Sequence, residues 1–154
     1  MVKERKPLRQ IANEQSGTYV RYWRGIERLN DLLNGPEDRY FKTEVYYYYG
    51  QPGVGKSRRA LEEASAVGEP IFYKQRGPWW DGYDFQPNVI IDDFYGWIAY
   101  DELLKICDRY PYRVPIKGGF RKFVSKRIWI TSNVPIDCVN KHDHFTPIEE
   151  MFFE

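Results

Sequence analysis

Apolar residues recur at three- and four-residue steps in one early stretch, as Tyr19, Trp23, Ile26, Leu29 and Leu33. That spacing predicts an amphipathic helix, with Thr18 placed to cap its start and Gly35-Pro36 placed to stop it. Its aromatic-aliphatic face needs a partner, either the rest of the chain or another subunit; periodicity alone does not choose. Residues 1–17 ahead of it are polar and basic, with Lys3, Arg5, Lys6 and Arg9 against Glu4, and read as a linker or tail. The pattern then changes. Val45 to Tyr49 and Ile71 to Tyr73 read as short strands, and Val89 to Ile91 and Ile128 to Thr131 are unbroken apolar runs, as expected of strands buried on both faces. Helical stretches separate them, one after Ser57 with Gly68 as its stop and one from Tyr100 to Arg109 ahead of Pro111. Tyr112 to Ile116 and Phe120 to Val124 flank Lys117-Gly118-Gly119 and read as an inserted hairpin. Strands alternating with helices predict a parallel α/β sheet. The expected division is a tail over 1–17, a helical segment over 18–42 and an α/β domain over 43–154.

Composition narrows this. The chain has 154 residues, enough for one domain with a short extension, and 5 Trp, 13 Tyr and 9 Phe supply bulk for a core. A net charge of +1 confines any nucleic-acid site to a local patch. Cys107 and Cys138 are the two cysteines, which suits a reduced, intracellular protein better than a disulfide scaffold. No run approaches the ~20 apolar residues that cross a bilayer, and the charged first ten residues lack a signal-peptide core. No membrane partner is expected.

Gly50-Gln51-Pro52-Gly53-Val54-Gly55-Lys56-Ser57 is a complete G-x-x-x-x-G-K-[ST] motif between a predicted strand and a predicted helix. Its glycines let the backbone turn so that N–H groups face phosphate oxygens, and the helix N-terminus adds partial positive charge. Lys56 is placed to reach the β- and γ-phosphates, and the Ser57 hydroxyl to ligate Mg²⁺. The expected cofactors are therefore ATP and Mg²⁺. Val89-Ile90-Ile91-Asp92-Asp93 is an apolar strand ending in two acids. At the end of a strand beside the phosphate loop, Asp92 would hold Mg²⁺, directly or through water, and Asp93 would orient and deprotonate the attacking water. Ile128 to Asn133 has the same form. Asn133 is either a sensor of the γ-phosphate or lytic water, or a turn residue before Pro135; spacing does not separate the two.

These motifs, with W-W-D-G-Y at residues 79–83, I-I-D-D-F-Y-G-W at 90–97, D-R-Y-P at 108–111, K-G-G at 117–119 and I-T-S-N at 130–133, resemble the helicase domain of circovirus-type replication initiators. The resemblance runs from about Tyr19 to the C-terminus and implies an AAA+-like superfamily 3 helicase fold, a P-loop NTPase with a central parallel sheet. It implies catalytic roles for Lys56, Asp92, Asp93 and Asn133, and places the helix from Tyr19 to Leu33 where the family has its oligomerisation segment. It also implies single-stranded DNA as partner, 3′-to-5′ movement, a homo-hexameric ring and work in the host nucleus. The family's rolling-circle endonuclease domain has no counterpart in the first 18 residues, so nicking and joining are not expected of this chain. The family pattern also continues past Glu154 into an arginine-bearing helix. Thr146-Pro147-Ile148-Glu149 reads as the start of a helix. With its arginine further on, slow hydrolysis is the expectation.

Residues 113–127 carry Arg113, Lys117, Arg121, Lys122, Lys126 and Arg127 and no acid, six cations in 15 positions. Lys117, Gly118, Gly119, Arg121 and Lys122 are the expected DNA contacts, with Lys117 singled out by the resemblance, while Phe123 belongs in the core. Trp79-Trp80 either lines a stacking surface or packs under the nucleotide site. Cys138, His142 and His144 lack the further ligand that zinc would need. Two other functions compete: a small-molecule kinase, which leaves the basic hairpin unexplained, and a nucleotide- and DNA-binding module with little hydrolysis.

Overall fold

The structure, a computed structural model, describes residues 8–51, 53 and 55–133. Pro52, Val54, Cys138, His142, His144 and the helix start at residues 146–149 lie outside the described residues. The chain divides into two compact units, residues 1–37 and 38–154.

The first unit is a pair of helices, α1 (Leu8–Glu14) and α2 (Ser16–Asn34). Ile11 and Ile26 are buried together, with Leu8 and Tyr19 against them. The stretch expected to be a linker or tail is therefore partly helical. Leu8 and Ile11, three apart, supply enough apolar surface to lock a short helix onto α2, a signal the dense charge of this segment obscured. The expected cap at Thr18 is also displaced: α2 begins at Ser16, with Gln15 at its N-cap, and kinks at Tyr22. The Gly35 N–H closes the helix on Asp31 O at 3.0 Å. Of the predicted apolar stripe, Ile26 is buried, whereas Trp23, Leu29 and Leu33 are exposed.

The second unit is built on a four-stranded parallel sheet in the order β1-β6-β3-β2. Its strands are β1 (Glu44–Tyr49), β2 (Ile71–Lys74), β3 (Asn88–Ile91) and β6 (Arg127–Ser132). Helix α3 (Lys56–Ala66) crosses from β1 to β2, α4 (Tyr100–Ile106) follows β3, and β4 (Arg113–Ile116) with β5 (Gly119–Lys122) forms the hairpin. The parallel α/β expectation holds, and the fold is that of a P-loop NTPase.

Side-chain alternation explains the two layers. Ile90 and Trp129 point to one face, where Ala60 and Ala64 of α3 let the helix approach closely. Val89, Ile91, Ile128 and Ile130 point to the other, joining Leu103 and Ile106 of α4 and Val114 of the hairpin. On the α3 side, Glu63 accepts hydrogen bonds from Tyr48 Oη, from Trp129 Nε1 at 3.2 Å and from Arg59 Nε at 2.9 Å. On the other side, the buried Arg39 donates to Lys105 O (2.7 Å), Ile106 O (2.6 Å), Tyr110 O (2.7 Å) and Thr43 Oγ1 (3.0 Å). It satisfies carbonyls left open at the end of α4 and ties them to the approach to β1. Cys107, beside them, is fully buried, and burial pushes its thiol up to about 12, which makes it inert.

Candidate nucleotide site and basic hairpin

In a parallel sheet all carboxyl ends lie along one edge, and loops leaving that edge build the site. The strand carrying the two acids, β3, is not the neighbour of β1: β6 lies between them. This order places Asn133 at the centre, with the phosphate loop on one side and the two acids on the other. A cleft of about 490 Å³ runs between these three strand ends.

The phosphate loop leaves β1 with Gly50 N still bonded to Ser132 O of β6 at 3.3 Å. Gly53 and Gly55 adopt φ of +83° and +87°, values that a side chain would strain. Gly55 caps α3, so Lys56 and Ser57 occupy its first turn. Lys56 Nζ donates to Gly50 O (2.8 Å), Gln51 O (2.9 Å) and Asn133 Oδ1 (3.1 Å). The asparagine from β6 and the loop lysine thus meet, which favours the sensor reading over a mere turn residue.

Ser57 Oγ donates to Asp92 Oδ1 at 2.6 Å, and Thr131 Oγ1 donates to the same oxygen at 2.5 Å. A hydroxyl and a carboxylate oxygen this close, open to the cleft, suit Mg²⁺, which takes one or two protein oxygens and completes its shell with phosphate and water. Among the described residues no group of three or more His, Cys, Asp or Glu gathers into a denser metal site. Asp93 is set differently. Its φ is +54°, its N–H donates to Thr131 Oγ1 at 3.0 Å, and its carbonyl accepts Trp97 Nε1–H at 3.2 Å. Its carboxylate lies 3.6 Å from Arg76. Sequence reasoning missed Thr131, which is 1% exposed and ties both acids to β6. A hydroxyl inside an otherwise apolar run, two residues before Asn133, was the available signal.

The hairpin divides its cations. Gly118, at φ +94°, makes the tight turn, and Lys117 at the tip is exposed. Arg113 is exposed, and Lys122 is half-buried 3.5 Å from Asp38. Arg121 departs from the expected set of DNA contacts. It is buried, donates to Tyr83 O at 2.5 Å and lies 5.7 Å from the Phe85 ring. Phe123 is in the core as expected, stacked on Tyr83 at 5.7 Å, whereas Phe120 is exposed. Across the strands Arg113 opposes Lys122 and Pro115 opposes Phe120. The outer face therefore presents cations and a ring, beside a groove of about 510 Å³ that Tyr112 and Phe120 help to line.

The W-W-D-G-Y segment explains how this hairpin is held. Trp80 is fully buried, and its backbone N–H donates to Pro115 O at 2.8 Å. Asp81 accepts the Lys117 N–H at 2.8 Å, and Tyr83 Oη lies 2.8 Å from Ser125 Oγ. Trp79 is exposed. The adjacent tryptophans have different roles: one packs, the other faces outward.

Comparison with known proteins agrees with this architecture. The RNA helicase family matches residues 46–134. The replication-associated protein of human associated cyclovirus 1 is 58% identical over 141 residues, which cover 90% of this chain and 50% of that protein. That of beak and feather disease virus is 50% identical over 138 residues, 90% of this chain and 46% of the relative. That of porcine circovirus 2 is 43% identical over 124 residues, 80% of this chain and 39% of the relative. The chain spans about half, or less, of the length of these curated relatives. In the described residues no helix is long and apolar enough to cross a membrane. A phosphate loop after β1, an asparagine just past the neighbouring β6, two acids just past β3 and a held basic hairpin all sit within the matched region, and the chain belongs to the RNA helicase family, as a superfamily 3 helicase domain like that of circovirus and cyclovirus replication-associated proteins.

Proposed function

We propose that this chain is the ATP-driven helicase module of a viral rolling-circle replication initiator, hydrolysing ATP to move 3′-to-5′ on single-stranded DNA. The observation that carries the reading is the meeting of Lys56, Ser57, Asp92 and Asn133 at the carboxyl edge of three adjacent strands, joined by hydrogen bonds of 2.6 and 3.1 Å. Lys56 and the loop N–H groups bind and orient the β- and γ-phosphates, with Asn133 beside them to contact the γ-phosphate or the attacking water. Ser57 and Asp92 would hold Mg²⁺, which would supply Lewis-acid stabilisation of the charge that develops during phosphoryl transfer. Asp93 orients the water and accepts its proton.

On the hairpin, Lys117 and Arg113 meet phosphates and Phe120 offers a face to a base, the pairing of cations and rings by which single strands are held. The exposed Trp23, Leu29 and Leu33 of α2 suit burial between copies in a homo-hexameric ring. The host nucleus is the working compartment on this reading.

The test is steady-state ATP hydrolysis with and without single-stranded DNA, followed by unwinding of duplexes tailed at the 3′ or the 5′ end. Slow, DNA-stimulated hydrolysis with preference for the 3′ tail is expected. Phosphoryl transfer to a small molecule, or ATP and DNA binding without turnover, would favour the kinase and the binding-module readings respectively.

A further inference from the structure

Lys74 is a buried cation that the proposed chemistry does not use. It ends β2 at the same carboxyl edge as the nucleotide cleft and is 5% exposed. Its ammonium lies 5.4 Å from the Trp80 ring centroid and 5.2 Å from that of Trp97. It also donates to Gln75 O and Gly77 O, each at 2.6 Å. Ring faces and carbonyl oxygens attract an ammonium strongly and a neutral amine weakly.

Trp97 is the link from Lys74 to the cleft. Its indole N–H donates to Asp93 O at 3.2 Å, and Asp93 holds φ +54°, a left-handed conformation that is uncommon for residues with a side chain although Asp tolerates it better than most. The Asp93 N–H is fixed on Thr131 from the other side. The direction of the Asp93 carboxylate thus depends on both attachments of its backbone.

We propose that Lys74 is a positioning residue for hydrolysis: held between Trp80 and Trp97, its ammonium fixes Trp97 on the Asp93 carbonyl and so aims the Asp93 carboxylate. The inference rests on the reading of Asp93 as the group that orients the attacking water. It also carries a pH dependence. Burial pushes Lys74 down to about 8, opposed by the attraction of Glu102 on α4 and of Asp81 before the hairpin. Both are carboxylic acids, which do not ordinarily titrate in the alkaline range. Raising the pH through about 8 therefore discharges Lys74 and loosens the two rings.

The experiment compares K74M, K74R and W97F. In K74M, ATP affinity stays at the wild-type value and kcat falls about 10- to 100-fold, the scale of a misaligned reacting group. K74R recovers most of the rate, because a guanidinium also sits on ring faces. W97F keeps a ring but loses the N–H donor, and falls with K74M. Wild-type kcat declines as pH rises through about 8, and K74R, whose charge persists, lacks that decline. Tryptophan emission gives a readout independent of turnover: a transition near pH 8 in the wild type that K74R lacks. The proposal is overturned by equal losses of ATP affinity and kcat in K74M, by wild-type kcat in W97F, or by the same alkaline decline in K74R. Flat wild-type emission across that pH range also overturns it. Full hydrolysis in D93N would remove the role given to Asp93 and the proposal with it. An inactive D93N beside a fully active W97F removes only the proposal.

Discussion

The phosphate loop and the basic hairpin were both read as functional from short runs of residues, and the structure treats them differently. Gly53, Gly55, Lys56 and Ser57 of the loop line one cleft, and Lys56 and Ser57 each bond to a group at the end of a different strand. The hairpin's cations separate, with Lys117 and Arg113 outward and Arg121 inward. The loop's site is its own backbone, so fixed spacing along the chain is already geometry. A strand carries two faces with a period of two, so a run of charges on it cannot all point one way. Arg121 shares the parity of Phe123, and assigning Phe123 to the core already implied that Arg121 goes with it.

Substitutions can break or sharpen this contrast. The largest effects belong to the cleft. Asp93→Asn keeps shape and spares ATP binding while hydrolysis falls by about 10²–10⁴, the usual contribution of a positioned base. Parallel loss of binding would make Asp93 a metal ligand or a structural residue instead. Lys56→Ala costs about 10²–10³ in turnover and weakens ATP binding, as removal of a cation from the transferred phosphoryl group should. An ATPase assay showing undiminished turnover would end the nucleotide reading of the loop.

The hairpin effects are smaller and of two kinds. Arg121→Ala leaves the Tyr83 carbonyl without its buried donor and destabilises the unit by about 1–3 kcal/mol, measured by urea unfolding. The DNA affinity of the folded fraction stays unchanged. Lys117→Ala does the reverse. Its ion pair with Asp81, 4.0 Å long and exposed, contributes little to stability. Losing one phosphate contact reduces the salt dependence of single-stranded DNA binding by about one unit of slope. If Arg121→Ala flattened that slope and Lys117→Ala did not, the two faces of the hairpin would be assigned the wrong way round.

Much of the sheet was legible because strands buried on both faces are written as unbroken apolar runs. The strand holding Val89 to Ile91 and the one holding Ile128 to Ile130 stand out for this reason. The helix at residues 8–14 was not legible, because Arg9 within it and Lys3, Arg5 and Lys6 just ahead of it mask its two apolar contacts. The role of W-W-D-G-Y was not legible either, since its partners Pro115, Lys117 and Ser125 lie more than thirty residues away.

By itself, then, the sequence determined the elements whose physics is local: the glycine turn, the helix carrying Lys56 and Ser57, and the strands that end in acids or asparagine. Strand order was decided only by tertiary structure, which set β6 between β1 and β3 and so brought Asn133 to Lys56 and Thr131 to both acids. The same holds for the placement of Lys74 between Trp80 and Trp97. Such contacts join residues that no spacing rule relates. They are fixed by how two faces of one sheet bury their side chains, a property of the packed whole.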